Sequence, residues 1–113
     1  MSSSHDQYPR PVALAPQCEL ILHATAGGAA VCPRVGNVFT FSRVGSNRHP
    51  TEKPQPLIER LIEVCTVRGD LIADPFGGVA TTAAAARATG RGYWSCELDT
   101  GYWAAGEERL AGG

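Results

Sequence analysis

The residues whose types and spacing suggest chemistry are Asp74, Gly77, Gly78 and Glu97. Asp74 follows the short apolar run Leu71-Ile72-Ala73, which reads as a strand. Pro75, Phe76, Gly77 and Gly78 come next, and then an alanine-rich stretch that reads as a helix. This order puts a carboxylate at the carboxyl end of a strand, beside a glycine turn and a helix N-terminus. Ligands bind at that place in open α/β sheets. The glycines let backbone approach a ligand because no Cβ intervenes, and the carboxylate can pair with an ammonium group. Glu97 stands about 20 residues further on, again at a strand end, where an acidic side chain takes ribose hydroxyls. Together these residues describe a pocket for a nucleoside-containing cofactor. The competing reading is an ordinary strand–turn–helix with Asp74 as an N-cap. The spacing is not G-x-G-x-x-G, a poor fit for NAD or FAD, and the absence of G-x-x-x-x-G-K-[ST] excludes a P-loop.

The elements that must position these groups follow from pattern. A helix is expected from near Pro56, since proline is tolerated in a first turn. Leu57, Ile58, Leu61, Ile62 and Cys65 make one apolar stripe along it. Gly69-Asp70 turns the chain into the strand at 71–73. The alanine helix runs from Thr81 to about Thr89, with Gly90 as its C-cap. A strand over Gly92–Cys96 and a helix over Thr100–Leu110 complete an α-β-α-β-α order, which contains one right-handed crossover. Upstream, 19–25, 29–32 and 37–42 read as short strands, the last alternating as Val38, Phe39, Thr40, Phe41. Residues 1–17 are Ser- and Pro-rich and read as a disordered tail. The domain reading is therefore a tail over 1–17, short strands over 18–48, and an α/β segment over 49–113.

Bulk properties narrow the class. The 113 residues suit one small domain and carry a net charge of −1. That balance argues against tight nucleic-acid binding by this chain alone, because phosphate contacts leave a basic footprint. Arg34, Arg43 and Arg48 are either scattered surface arginines or contacts for nucleic-acid phosphates. No apolar run approaches the roughly 20 residues of a membrane span, and no signal peptide is evident. A cytoplasmic protein with no membrane partner is expected. Cys18, Cys32, Cys65 and Cys96 form no C-x-x-C pair and read as reduced, mostly buried thiols. A zinc site from Cys18, His23 and Cys32 is the weaker alternative.

Three segments, in order, carry a resemblance to a known family. They are His49-Pro-Thr-Glu-Lys-Pro54, Asp74-Pro-Phe-Gly-Gly78 with Thr81 after it, and Cys96-Glu-Leu-Asp99 followed by Tyr102 and Ala105. This set resembles the cofactor region of DNA amino-methyltransferases, which modify the exocyclic amino group of adenine or cytosine. The resemblance covers slightly more than half the chain. It implies a partial Rossmann-like α/β methyltransferase fold, with parallel strands and helices on both faces. It implies S-adenosyl-L-methionine as cofactor and DNA as the partner of the complete enzyme. Asp74 would contact the methionine amino group, Phe76 would pack on the cofactor, and Gly78 would give backbone room. Glu97 would take the ribose hydroxyls, while His49 and Lys53 would line the methionine end, with Lys53 toward its carboxylate. Pro75, Gly77, Thr81 and Asp99 belong to the same cofactor-binding set by their place in the motifs.

Two departures stand out. Where the family has a further glycine, two positions after Gly78, this chain has Ala80, whose extra methyl either narrows the approach to the cofactor or is accommodated by a negative φ. The family's catalytic loop, (Asp/Asn/Ser)-Pro-Pro-(Tyr/Phe), grips a flipped base, and no Pro-Pro dipeptide occurs here. No catalytic residue is therefore assigned. The resulting expectation is a truncated or split methyltransferase whose missing half comes from a partner chain or self-association. The alternative is an inactive cofactor-binding or degenerate fragment. RNA or protein methylation is a weaker possibility.

Overall fold

The computed structural model describes residues 18–27, 35–42 and 52–112. The expected tail over 1–17, the strand at 29–32, Cys32, Arg34, Arg43, Arg48 and His49 lie outside the described residues.

Five elements follow one another: α1 (Gln55–Cys65), β1 (Leu71–Asp74), α2 (Thr81–Ala88), β2 (Gly92–Ser95) and α3 (Thr100–Gly112). β1 and β2 pair in parallel, with Ile72 opposite Tyr93 and Asp74 opposite Ser95. The α-β-α-β-α order read from the sequence is thus present, with bounds shifted by a residue or two.

α2 is the centre of the packing. Ala83, Ala84, Ala85 and Ala86 are all buried. Their single methyls let α1, α3 and the sheet approach one helix from several sides, which bulkier residues would hold apart. Ile62 of α1 packs on Ala85 and Ala86, with Ile58 and Ile72 against the same cluster. The apolar stripe expected on α1 is therefore real but narrower than its spacing suggests, since Cys65 is exposed.

All three helices gather on the Ile72 side of the sheet. Side chains alternate along a strand, so Leu71, Ala73 and Trp94 face the other way. Leu71 is 70% and Trp94 54% exposed. A second helical layer over that face is not found among the described residues.

Three expectations need correction. Residues 19–25 and 37–42 do not form strands. β-pairing draws its stability from a neighbouring strand and a buried face, and Leu20 and Leu22 are 97% and 94% exposed. The three cysteines among the described residues are not buried: Cys18, Cys65 and Cys96 are all free and exposed. Ala80 does not adopt a negative φ but sits at +67°, the one non-glycine residue with positive φ among the described residues.

Candidate functional site

The carboxyl ends of β1 and β2 bring Asp74, the glycine turn and Glu97 together. Asp74 is half-buried, and its Oδ1 accepts a hydrogen bond from Phe76 N–H at 3.0 Å, which closes a tight turn over Pro75. Asp74 therefore caps its own turn and not α2, whose N-cap is Ala80. The Phe76 ring is 87% exposed, a large apolar surface beside the turn.

Gly77 and Gly78 fold the chain back onto the end of β2. Gly77 N–H donates to Cys96 O at 2.8 Å. A Cβ on Gly77 would run into Ser95 Oγ, which would have to rotate away, and would lie 3.3 Å from Cys96 O, so glycine suits a turn this close to β2. Gly78 has φ +57°, which glycine adopts without penalty. Its N–H donates to Glu97 Oε1 at 2.8 Å. The other Glu97 oxygen, Oε2, accepts from Asp99 N–H at 2.8 Å. One carboxylate thus clasps the glycine turn on one side and the start of α3 on the other. An ionised carboxylate offers about four lone-pair sites; two are used, and two remain for hydroxyl donors.

Three further members of the expected cofactor set have structural partners here. Asp99 Oδ1 accepts Tyr102 N–H at 2.9 Å, which makes Asp99 the N-cap of α3. Thr81 is buried, and its Oγ1 accepts from Arg109 Nη1 at 2.9 Å. Lys53 Nζ pairs with Glu19 Oε1 at 2.8 Å, and both side chains are well exposed, at 48% and 73%. Such a pair contributes about 0–1 kcal/mol and exchanges readily.

Arg109, on α3, was not singled out by its sequence context. Its guanidinium reaches Glu52 Oε1 at 3.1 Å, Gln55 Oε1 at 2.7 Å, Thr81 Oγ1 at 2.9 Å and Val79 O at 3.4 Å. Gly106, one turn earlier on α3, was missed as well. A Cβ there would lie 3.0 Å from Ala80 Cβ, so the bare backbone of α3 receives the Ala80 methyl. The only available signal was negative, a glycine inside a helical pattern, which points to close approach. Below the Gly78–Glu97 contact, Tyr93, Ser95, Trp103 and Glu107 line an open cleft between β2 and α3. No group of three or more metal-ligating side chains occurs among the described residues. No helix among them is long and apolar enough to cross a membrane.

Known proteins resemble this chain in sequence and in fold. A family model for DNA methylases of the N6/N4 methyltransferase type matches residues 13–108. The DNA adenine methyltransferase YhdJ of Escherichia coli K12 is 40% identical over 80 residues, covering 66% of this chain and 27% of the relative. The M1.HpyAVI–SAM complex superposes with a TM-score of 0.57 at 30% identity, over 61% of this chain and 34% of that one. The cytosine-N4-specific PvuII DNA methyltransferase gives a TM-score of 0.57 at 31% identity, over 62% of this chain and 29% of that one. The chain spans about a third or less of the length of each. The family match begins upstream of the described fold and runs through most of α3, so the chain as a whole, and not one motif within it, belongs to the N6/N4 DNA methylase family.

Proposed function

We propose that the carboxyl ends of β1 and β2 bind S-adenosyl-L-methionine, and that residues 49–113 are the cofactor-binding part of a DNA amino-methyltransferase acting on adenine or cytosine. The observation that carries this reading is the Glu97 carboxylate. It is held by Gly78 and Asp99 N–H groups at the strand ends, with lone pairs left for ribose hydroxyls. Asp74 supports it, since Oδ2 has no hydrogen bond among the described residues and can accept from an ammonium group. The exposed Phe76 ring offers an apolar surface to the same ligand. Gly77 and Gly78 bring backbone close, and Pro75 sets the turn that presents them. His49 and Lys53 are assigned to the methionine end, where Lys53 would exchange its Glu19 partner for the ligand carboxylate. Asp99 and Thr81 serve the site through α3 and Arg109. Bound there, the cofactor supplies an activated methyl group; these residues bind and orient it.

The acceptor nitrogen must be gripped by groups outside these residues, because no Pro-Pro loop occurs among the 113. We therefore assign that task to further polypeptide, continuous or separate, that also contacts DNA. Residues 18–48 are read as the remnant of that region. The exposed Leu71 and Trp94 face is consistent with this reading.

One observation favours a second reading, an inactive cofactor-binding fragment: Ala80 holds a left-handed conformation that costs about 1–2 kcal/mol for an L-residue. Isothermal titration of the full chain with S-adenosyl-L-methionine tests the first part of either reading. Micromolar binding is expected. Asp74→Asn keeps the turn to Phe76 N–H and removes the charge, and should weaken binding at least tenfold. A folded chain that takes up no ligand would refute the cofactor assignment.

A further inference from the structure

We infer that Arg109 is the positioning residue of this cleft, fixing the segment that carries Lys53 against the turn that carries Gly78. The inference rests on the reading that the cleft takes S-adenosyl-L-methionine. Its basis is the reach of one guanidinium across three parts of the chain. Nη1 contacts Glu52 Oε1 at 3.1 Å, Thr81 Oγ1 at 2.9 Å and Val79 O at 3.4 Å; Nη2 contacts Gln55 Oε1 at 2.7 Å. Glu52 is the immediate neighbour of Lys53. Val79 is the immediate neighbour of Gly78, whose N–H goes to Glu97.

The contact is buried: the Arg109 side chain is 13% exposed and that of Glu52 2%. Water therefore competes poorly for these hydrogen bonds, and the ion pair is little screened. The planar fork of arginine directs its donors to several acceptors at once, which a lysine ammonium on a flexible stem does not reproduce. Arg109 touches neither Asp74 nor Glu97 among the described contacts, so its effect on a ligand is exerted through the residues it holds. Those residues bracket the amino-acid end of the proposed ligand. Glu97, at the ribose end, shares the Gly78 turn but has a second anchor in Asp99 N–H, which no described contact ties to Arg109. Arg109 therefore governs the grip on the methionine moiety more than the nucleoside grip, which the Asp99 anchor also holds.

The test is a paired titration of the full chain and its Arg109→Lys and Arg109→Gln variants. The two ligands are S-adenosyl-L-methionine and 5′-methylthioadenosine, which keeps the nucleoside and lacks the amino-acid group. Both variants should bind S-adenosyl-L-methionine at least tenfold more weakly while their affinity for 5′-methylthioadenosine changes less than twofold. Equal losses for the two ligands would mean a general structural role and would overturn the inference, as would no loss at all. An amide-resonance map of Arg109→Lys supplies a readout independent of any ligand. Glu52, Lys53, Gly77, Gly78 and Thr81 should shift together, and Val67 to Asp70 should not. Shifts confined to α3 would overturn the inference. If the unmodified chain binds neither ligand, the cofactor reading falls, and the amide map alone decides whether Arg109 couples the two segments.

Discussion

The two ends of the β1–α2–β2 crossover are built differently. At the amino end of the strands, α2 stops in a complete Schellman arrangement. Arg91 N–H donates to Ala86 O at 2.8 Å, and Gly90 N–H to Arg87 O at 3.2 Å. Gly90 takes the left-handed φ of +78° that this stop requires. Thr89 Oγ1 returns to Ala85 O at 2.8 Å, and Arg91 fastens the end of α1 through Thr66 O at 2.9 Å. At the carboxyl end, α2 starts without a side-chain cap, on an alanine in a left-handed conformation. That end is held from a distance by Glu97, Gly106 and Arg109. One end closes on itself with relaxed local chemistry; the other keeps strain and long-range ties where the candidate site lies. Strain of this kind persists only where surrounding structure over-determines it, and here α3 supplies the surroundings.

The contrast is best broken at Arg109. Arg109→Ala removes the ion pair to the buried Glu52 carboxylate, and removal of one member of a buried pair costs about 3–5 kcal/mol. Urea unfolding should show that loss; a change below about 1 kcal/mol would mean that α3 is not the tie described above. Gly90→Ala attacks the opposite end. It forces an L-residue into the left-handed region and pushes Arg68 away from a Cβ that would lie 2.8 Å from it. The expected cost is about 1–2 kcal/mol, with ligand affinity unchanged in the folded fraction. Weakened binding by the folded Gly90→Ala protein would show that the two ends are not independent.

Gly106→Ala sharpens the comparison through its sign. Glycine to alanine inside a helix ordinarily stabilises by about 1 kcal/mol. Here the new methyl would lie 3.0 Å from Ala80 Cβ and 3.2 Å from Val79 C, so a net destabilisation of about 1 kcal/mol is expected. Ala80→Gly should recover part of it, and the double-mutant cycle measures the coupling. The smallest effect is at Asp99. Asp99→Ala should cost about 1 kcal/mol by removing the α3 cap, whereas Asp99→Asn caps equally well and should be nearly neutral. Circular dichroism melts of the two variants separate these outcomes.

The same contrast explains what the sequence made legible. Gly90, the bounds of the alanine helix and the parallel crossover follow from neighbours a few residues apart, and were read correctly. Asp74, Gly77, Gly78 and Glu97 were brought together as their spacing suggests, because each sits at the end of a short strand that pattern identifies. Arg109 was not legible, since its partners lie 28 to 57 residues away and nothing in α3 announces them. The conformation of Ala80 was missed for a related reason: its accommodation depends on Gly106, and no local rule links the two. The strands expected at 19–25 and 37–42 failed because an apolar run in the first and alternation in the second record a preference for a buried or half-buried surface without supplying the surface. Cys65 misled in the same way, lying at an apolar spacing on α1 where no neighbour covers it.

The sheet has one tryptophan on each side: Trp94 on the open face, 54% exposed, and Trp103 on α3 beside the cleft below Gly78 and Glu97, 53% exposed. They are the only two in the chain. Each therefore serves as an optical reporter for a different event. With Trp103→Phe, a blue shift in emission can arise only at Trp94, and so signals that another polypeptide has settled on the open face. With Trp94→Phe, a change in emission or quenching isolates what happens next to the cleft. Two single-tryptophan proteins would thus distinguish assembly from ligand uptake in one cuvette, without a label and without any assay of methyl transfer.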